Sequence, residues 1–381
     1  FWDSEYKAVY HLQDDFSTGS VADSTSNAND GTLHGSPVDV TTAVIGSYLM
    51  ELSTAEVAGA HDLDINSNDI AVVVGKAGNV AIVDVSDPTS MSQLGSYTTD
   101  LSDTQTADFI TDRYVFIGDL DRAFVLDIDD PSSPVVVSDI TSFTGPLNGS
   151  VISGDYLYAA NKGPSETDGS IEVFDISDPT NMTHVNTYLD PDSDSPHDCD
   201  LIDSNTLAYV CKQPADTKQF AIIDITDPSN ISEISTIADS SLTGANQLHV
   251  YGNYAFTVEN DDTYSMSSID IGDPLNPVIA DNITSRMYEP CGIYIDEQDE
   301  LAYIGNNHEN DSYSTYGVTV VDISDPTNLT FVQFFSNSNC LGGHQLQVYN
   351  GSLFLTAGGS GTSYYQSFLS FDLTEYRKNS L

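Results

Sequence analysis

A seven-bladed, all-β propeller is predicted by three features of this chain. The first is a phrase written six times: IVDVSDP at residues 82–88, VLDIDDP at 125–131, VFDISDP at 173–179, and again at 222–228, 268–274 and 320–326. A shortened seventh copy, SFDL at 370–373, lacks the Asp-Pro. The leading aspartates stand at 84, 127, 175, 224, 270, 322 and 372, so the period runs from 43 to 52 residues. Apolar-rich strands at that period build propeller blades, not helical solenoids. The second feature is alternation of apolar and polar residues, which divides each repeat into four strands. The third is a match between the ends of the ring: residues 44–50 (VIGSYLM) resemble 93–97 (QLGSY), the outer strand of the first blade.

Taken in order, residues 1–43 form an arm that precedes the repeats and is expected to act as a docking segment or linker. Residues 44–50 are expected to supply the fourth strand of the seventh blade, because no outer strand follows Leu373. Pairing the two ends of the chain leaves no exposed sheet edge at the seam. Residues 44–381 then form one body, since blades stack continuously on their neighbours. Blade five shows the plan: an inner strand at 247–251, a Gly252-Asn253 turn, a second strand at 254–258, a third at 266–271, a Gly-Asp-Pro corner and an outer strand opening at 277. Pro presets the corner and the Asp side chain can bond the amides that follow it, so the repeated Asp-x-x-Asp-Pro reads as structural.

Charge is the second loud signal. Lys plus Arg number 10 against 58 acids, of which 46 are Asp, for a net charge of −48. Such a surface repels itself unless salt shortens the screening length, to about 3 Å near 1 M. Acids spread over every blade favour a high-salt environment; a calcium-binding secreted protein is the alternative. The deficit of Lys and Arg argues against nucleic acid as a partner. It argues equally against attachment to a membrane surface through basic residues. No run reaches the roughly 18 apolar residues of a helical span, so no membrane insertion is expected. The chain opens on Phe1 with no visible signal peptide, as a processed form or a piece of a longer protein would.

Four cysteines suit an oxidising, extracellular setting. Cys199 and Cys211 flank a hairpin centred on Asn205, and Cys291 and Cys340 precede the inner strands of neighbouring blades. Two disulfides, Cys199–Cys211 and Cys291–Cys340, are therefore expected, with four buried free thiols as the alternative. The absence of a C-x-x-C spacing argues against zinc.

Two regions are candidate sites. Turns between inner and second strands, and between third and outer strands, are short and uniform. The opposite face carries connections of varied length and chemistry, at 161–170, 189–197, 211–219, 259–265, 305–317 and 357–365. Tyr264, Tyr313, Tyr316, Tyr364 and Tyr365 stand there among Asn, Ser and Gly, a mixture suited to stacking on sugar or protein. The starts of the inner strands give a second cluster at the central channel. Aligned by repeat, its positions are His61, Ala107, Gly149, Cys199, Asn246, Cys291 and His344, each followed by a neighbour such as Asp62, Asp108, Asp200, Gln247 or Gln345, with His197 just upstream. Histidines with carboxylates could bind a transition metal; hydrogen bonds tying strands around the channel would use the same residues. Asp190, Asp192 and Asp194 alternate as in calcium loops but lack the Gly and distal Glu of an EF-hand, leaving calcium as the one candidate cofactor. Sequons occur at Asn148, Asn181, Asn230, Asn282, Asn310, Asn328 and Asn350, and those at 181, 230 and 328 share one blade corner.

The repeated I-V-D-I-S-D-P resembles the LVIVD-repeat family, propellers of bacterial and archaeal surface proteins, over about residues 44–381. The resemblance implies a seven-bladed propeller without assigned catalysis. Residues 1–12 and 23–32 are similar to the opening of laminin-G/concanavalin-like domains, common in modular secreted proteins. Together these features point to an extracellular, surface-displayed binding or structural module recognising glycan or protein, as a cell-appendage or virion component. A propeller enzyme acting on glycans is the alternative, as is an architectural subunit joined to others through the arm. Against catalysis stand the few arginines of the propeller (Arg113, Arg122, Arg286 and Arg377) and the absence of a G-x-S-x-G nucleophile motif.

The acid coat makes salt the first variable to test. Circular dichroism during dilution from concentrated salt, with calcium chelated, should show the fold lost at low ionic strength; a fold unchanged in dilute buffer would refute the high-salt assignment.

Overall fold

The computed structural model describes residues 20–21, 31–32, 49–53, 59–99, 104–143, 145–163, 169–189, 195–212, 218–261, 264–307, 317–336, 340, 342–358 and 366–373. Seven four-stranded antiparallel sheets lie in chain order around a central channel. Blade one comprises Ala60–Ile65, Ile70–Gly75, Asn79–Asp84 and Ser92–Thr98, from the channel outward. Blade seven is Gly343–Tyr349, Ser352–Gly358, Gln366–Asp372 and then Leu49–Ser53, taken from the other end of the chain.

That last strand closes the ring as the sequence implied, with a correction to its limits. The pairing runs from Leu49 opposite Phe371 to Ser53 opposite Ser367, so the described ladder takes Leu49 and Met50 from the expected 44–50 and continues to Ser53. The ladder register with the third strand decides this; the likeness to 93–97 ended it short of Ser53. Residues 44–48 and most of the arm at 1–43 lie outside the described residues, apart from a two-residue pairing of Ser20–Val21 with Gly31–Thr32.

Side chains alternate across each strand with period two, and both faces of the middle strands are apolar. Val72 and Val74 pack with Ile117 and Phe124 of blade two. Ala71 and Val73, their neighbours in sequence, pack with Phe354 and Phe368 of blade seven. The apolar core is accordingly divided into seven clusters, one at each interface between adjacent blades.

The Asp-Pro phrase is a corner stabilised by its own side chains. In blade one, Asp84 accepts from Ser86 N at 2.9 Å and Asp87 from Thr89 N at 2.9 Å, while Ser90 N closes the turn on the Asp87 carbonyl at 2.8 Å. The same bonds recur at Asp175 and Asp178, at Asp224 and Asp227, and at Asp322 and Asp325. Corners also dock blades on one another: Ser370 Oγ donates to Pro88 O and Ser268 Oγ to Pro326 O, each at 2.6 Å. At Gly95 a Cβ would lie 2.0 Å from the Pro131 carbonyl, so only glycine fits that contact.

The expected disulfides are absent. All four cysteines are buried free thiols. Cys199 stands opposite Tyr209 and Cys211 opposite Pro196, so the two are offset along the hairpin and do not face each other. Cys340 is embedded in the core between blades six and seven, whereas Cys291 meets Asn260 Nδ2 at 3.3 Å beside the channel.

Removing residues 1–53 should cost on the order of 3–5 kcal/mol for five lost ladder positions and should induce self-association through the exposed edge. Removing 1–43 should change neither thermal midpoint nor oligomeric state in solution. Equal behaviour of the two truncations would refute closure by this strand.

Candidate functional site

The channel is where the seven repeats converge, and a bulge in each inner strand sorts its side chains. In blade one Ala60 faces Gly75 and Asp62 faces Val74, leaving His61 as the extra residue. Asn148, His197, Asn246 and Cys291 are the extra residues of blades three to six. In blade seven the irregularity lies between Gly343 and Leu346, spanning His344, and in blade two Gln105 N bonds Gly118 O at 3.1 Å at the same point. Bulges re-aim side chains, and these seven all line one cavity at the loop-face mouth. The repeat alignment of the sequence is thereby corrected: His197, Asn148 and Gln105 occupy the ring with His61 and His344, while Cys199, Gly149 and Ala107 do not. Alignment by spacing missed the shift because the inner strands differ in length: blade four carries a second irregularity, between Leu201 and Asp203.

Beyond the bulge the inner strands carry carboxylates that tie blade to blade. Asp62 accepts from its own neighbour Leu63 N and from Ala107 N of blade two, both at 2.8 Å. Asp64 does the same with Ile65 N and Phe109 N. In blade four Asp198 accepts from Cys199 N at 2.9 Å and Leu248 N at 3.0 Å, and Asp200 from Leu201 N and Val250 N, both at 2.7 Å. Gln247 accepts from Ile293 N at 3.1 Å and donates to Gln345 at 3.0 Å across the channel. Asp108 accepts from Ser150 Oγ. These residues line a cavity of about 190 Å³ in the middle of the channel. They are the girdle that the hydrogen-bonding alternative described. Among the described residues, no group of three or more His, Cys, Asp or Glu is placed to hold a metal ion.

Burial pushes the Asp62 and Asp198 carboxyls up to about 8, against the pull of the amides they accept from. Asp64, Asp108 and Asp200 are raised for the same reason. The histidines move the other way. Burial, aided by nearby lysines, lowers His197 and His344 to about 3 and holds His61 well below its usual range. His61 and His344 lie ring to ring, 4.4 Å between centroids, and His61 Nδ1 is 3.0 Å from Gln105 O.

Three lysines complete the mouth, and sequence reading passed them over. Lys76, Lys162 and Lys212 each stand one residue beyond a second strand (Ile70–Gly75, Tyr156–Asn161 and Thr206–Cys211). Their shared position in the repeat was the available signal. Asn260 and Asn307 hold that position in blades five and six.

Tyr264 rests on the core between blades five and six and donates to Glu289 at 3.0 Å. Tyr313, Tyr316, Tyr364, Tyr365, Asp190, Asp192, Asp194 and Asn310 lie outside the described residues. Asn181, Asn230 and Asn328 are exposed at equivalent corners, and Asn282 and Asn350 are also exposed. Asn148 is only 9% exposed and faces the channel, so its sequon has no room for a glycan and that expectation is withdrawn.

The profile described as LVIVD repeat matches residues 64–99, 109–141, 149–190, 205–239, 244–284 and 313–336. The chain belongs to this family. Comparison with curated proteins gives no match. Among solved structures, a functionally unknown protein from Desulfotomaculum acetoxidans is similar at 12% identity and a TM-score of 0.61, covering 80% of this chain and 99% of that one. U3-55K aligns at 9% identity and 0.66, covering 85% and 98%. The RRP9 WD40 repeats align at 10% and 0.65, covering 85% and 97%. At these identities the likeness concerns the fold alone.

The raised carboxyls set a pH dependence. A carboxyl whose folded pKa exceeds its unfolded value near 4 contributes stability at low pH that is lost as pH rises toward the folded pKa. The lowered histidines act in the opposite sense, adding stability as pH rises to about 6.5. Above pH 6.5 the lowered histidines add nothing more, and stability should fall by up to about 1 kcal/mol per pH unit for each of Asp62 and Asp198, with His184, raised by its bond to Glu172, acting in the same direction. Denaturant unfolding of Asp62→Asn/Asp198→Asn should show that slope flattened; an unchanged slope would reject the raised pKa values.

Proposed function

We propose that this LVIVD-repeat propeller is a surface-displayed binding module of a high-salt environment, recognising glycan or protein through its variable-loop face and carrying out no catalytic step. The observation that carries the reading is the asymmetry of the two faces. One face repeats a self-satisfied Asp corner in six of the seven blades, each of these Asp bonded within its own turn, and departs from the pattern mainly where Arg113 pairs with Asp127 and where blade seven lacks the Asp-Pro. The other bears connections of differing length and residue type around the open mouth of the channel. Function concentrates on variable loops held by a rigid frame, and a ring of inter-blade cores supplies such a frame. The tyrosines at 264, 313, 316, 364 and 365 belong to these connections by sequence.

Membership of the LVIVD-repeat family supports display at a cell or virion surface, and the acid coat supports high salinity. The arm at 1–43 would join the propeller to a further domain or subunit. No helix among the described residues is long and apolar enough to cross a membrane. Within this reading, calcium at Asp190, Asp192 and Asp194 would order a loop-face connection, and glycans at the exposed corner sequons would leave the loop face clear.

Glycan-array and whole-cell binding of the purified chain in near-saturated salt test the proposal. Saturable binding is expected, reduced at least tenfold by the combined change of Tyr313, Tyr316 and Tyr364 to Ala, since each aromatic anchor contributes on the order of 1 kcal/mol or more. Binding to neither array nor cells would overturn it in favour of a purely architectural subunit.

A further inference from the structure

We propose that the loop-face mouth of the channel binds a small organic anion, a carboxylate carried on a hydroxylated framework such as a terminal uronic-acid residue. This rests on the loop-face reading above and names the chemistry it would select.

The first support is where the cations are. The chain has 10 Lys and Arg among 58 acids, yet Lys76, Lys162 and Lys212 converge on one cavity of about 240 Å³ that no Asp or Glu lines among the described residues. Their placement is built into the repeat. Each lysine amide makes the same backbone bond, to Gly59 O at 3.0 Å, Pro146 O at 3.3 Å and Ser195 O at 3.1 Å. In blade two the residue after the second strand is Asp119, and it is turned away: it is fully buried and accepts from Thr99 at 3.0 Å and Thr104 at 3.1 Å. Lys212 Nζ lies 3.9 Å from the half-exposed Asp261, a loose surface pair that contributes little.

The second support is independent of charge. Gln105 Nε2 and the Oδ1 atoms of Asn148, Asn260 and Asn307 are buried without a hydrogen-bond partner, and all four residues line this cavity. Gln105 is 3% and Asn148 9% exposed. A buried polar atom left unpaired costs about 1–3 kcal/mol, so four around one small space indicate groups that a ligand would satisfy. Amides donate and accept, as sugar hydroxyls require. The lysines match a carboxylate as mobile point charges. A bare inorganic anion would satisfy the lysines and leave the amide oxygens unpaired. The neutral histidines add polar contacts without a competing charge. The cavity beneath, lined by Asp62 and Asp198, holds no lysine or arginine among the described residues, so the carboxylate is held at the level of the lysines.

Calorimetric titration of the full chain in concentrated potassium chloride, with glucuronate, glucose and sulfate, tests this. Saturable glucuronate binding is expected, undetectable for glucose and at least tenfold weaker for sulfate. Lys162→Gln and Lys212→Gln should each weaken glucuronate binding by about tenfold. Arg113→Gln, which removes a cation from the opposite face, should leave it unchanged; circular dichroism confirms that each variant is folded. Sulfate binding as tightly as glucuronate would overturn the hydroxylated-carboxylate assignment. No binding of any anion, with array or cell binding intact and insensitive to the lysine changes, would overturn the site and leave the loop-face reading standing. Loss of both would overturn the two together.

Discussion

Every blade of this protein is apolar on both faces, and that constraint dictates most of the rest. A lone four-stranded sheet with Val72 and Val74 on one side and Val73 on the other has no soluble state; each face must be covered by a neighbouring blade. Seven interface clusters meet the requirement only if the ring closes. Closure explains why blade seven takes a strand from the far end of the chain, and why Phe354 and Phe368 of that blade complete the cluster begun by Leu63 and Val73 of blade one. It also explains the corners. A blade edge that must dock on its neighbour cannot carry a long loop there, and an Asp bonding the next two amides makes the shortest turn that satisfies itself.

Closing seven sheets around one axis creates a second demand at the centre. Inner strands present amides toward the channel with no fifth strand to receive them. Side chains of the preceding blade meet that demand, through Asp62, Asp64, Asp198, Asp200 and Gln247. Where backbones come closest, no side chain fits: at Gly292 a Cβ would lie 1.4 Å from the His344 carbonyl. The acids of the channel are thus structural in the same sense as the corner acids. Both are acceptors for backbone amides, and only their burial differs.

Period, strand alternation and corner chemistry were legible in the sequence because each is local and recurs in blade after blade. The closing strand was legible in kind but not in register, since register depends on a ladder between residues more than three hundred positions apart, such as Leu49 and Phe371. The channel ring was half legible. His61, Asn246, Cys291 and His344 stand where the repeat alignment sets them, but a bulge carries no marker of composition, and His197, Asn148 and Gln105 precede the aligned positions by one or two residues. The disulfides failed for a related reason: Cys199 and Cys211 flank one hairpin in sequence, yet the pairing sets them opposite Tyr209 and Pro196. Lys76, Lys162 and Lys212 share one repeat position, but single lysines in loops of differing sequence carry no local motif, and only the ring brings them together.

The acid coat and the cationic mouth bear on each other. At low ionic strength, a net charge of −48 surrounds the molecule with a field that would repel any anion long before it reached the channel. Near 1 M salt the screening length is about 3 Å, and that long-range barrier is gone. Contacts inside a half-enclosed cavity are screened far less, because water and mobile ions have little room there. The salt that makes the coat tolerable is therefore the condition under which three lysines, outnumbered across the surface, can govern what approaches them. An acidic exterior is in this sense compatible with selecting an acidic ligand, provided that the selection is made by contact and not by attraction from a distance.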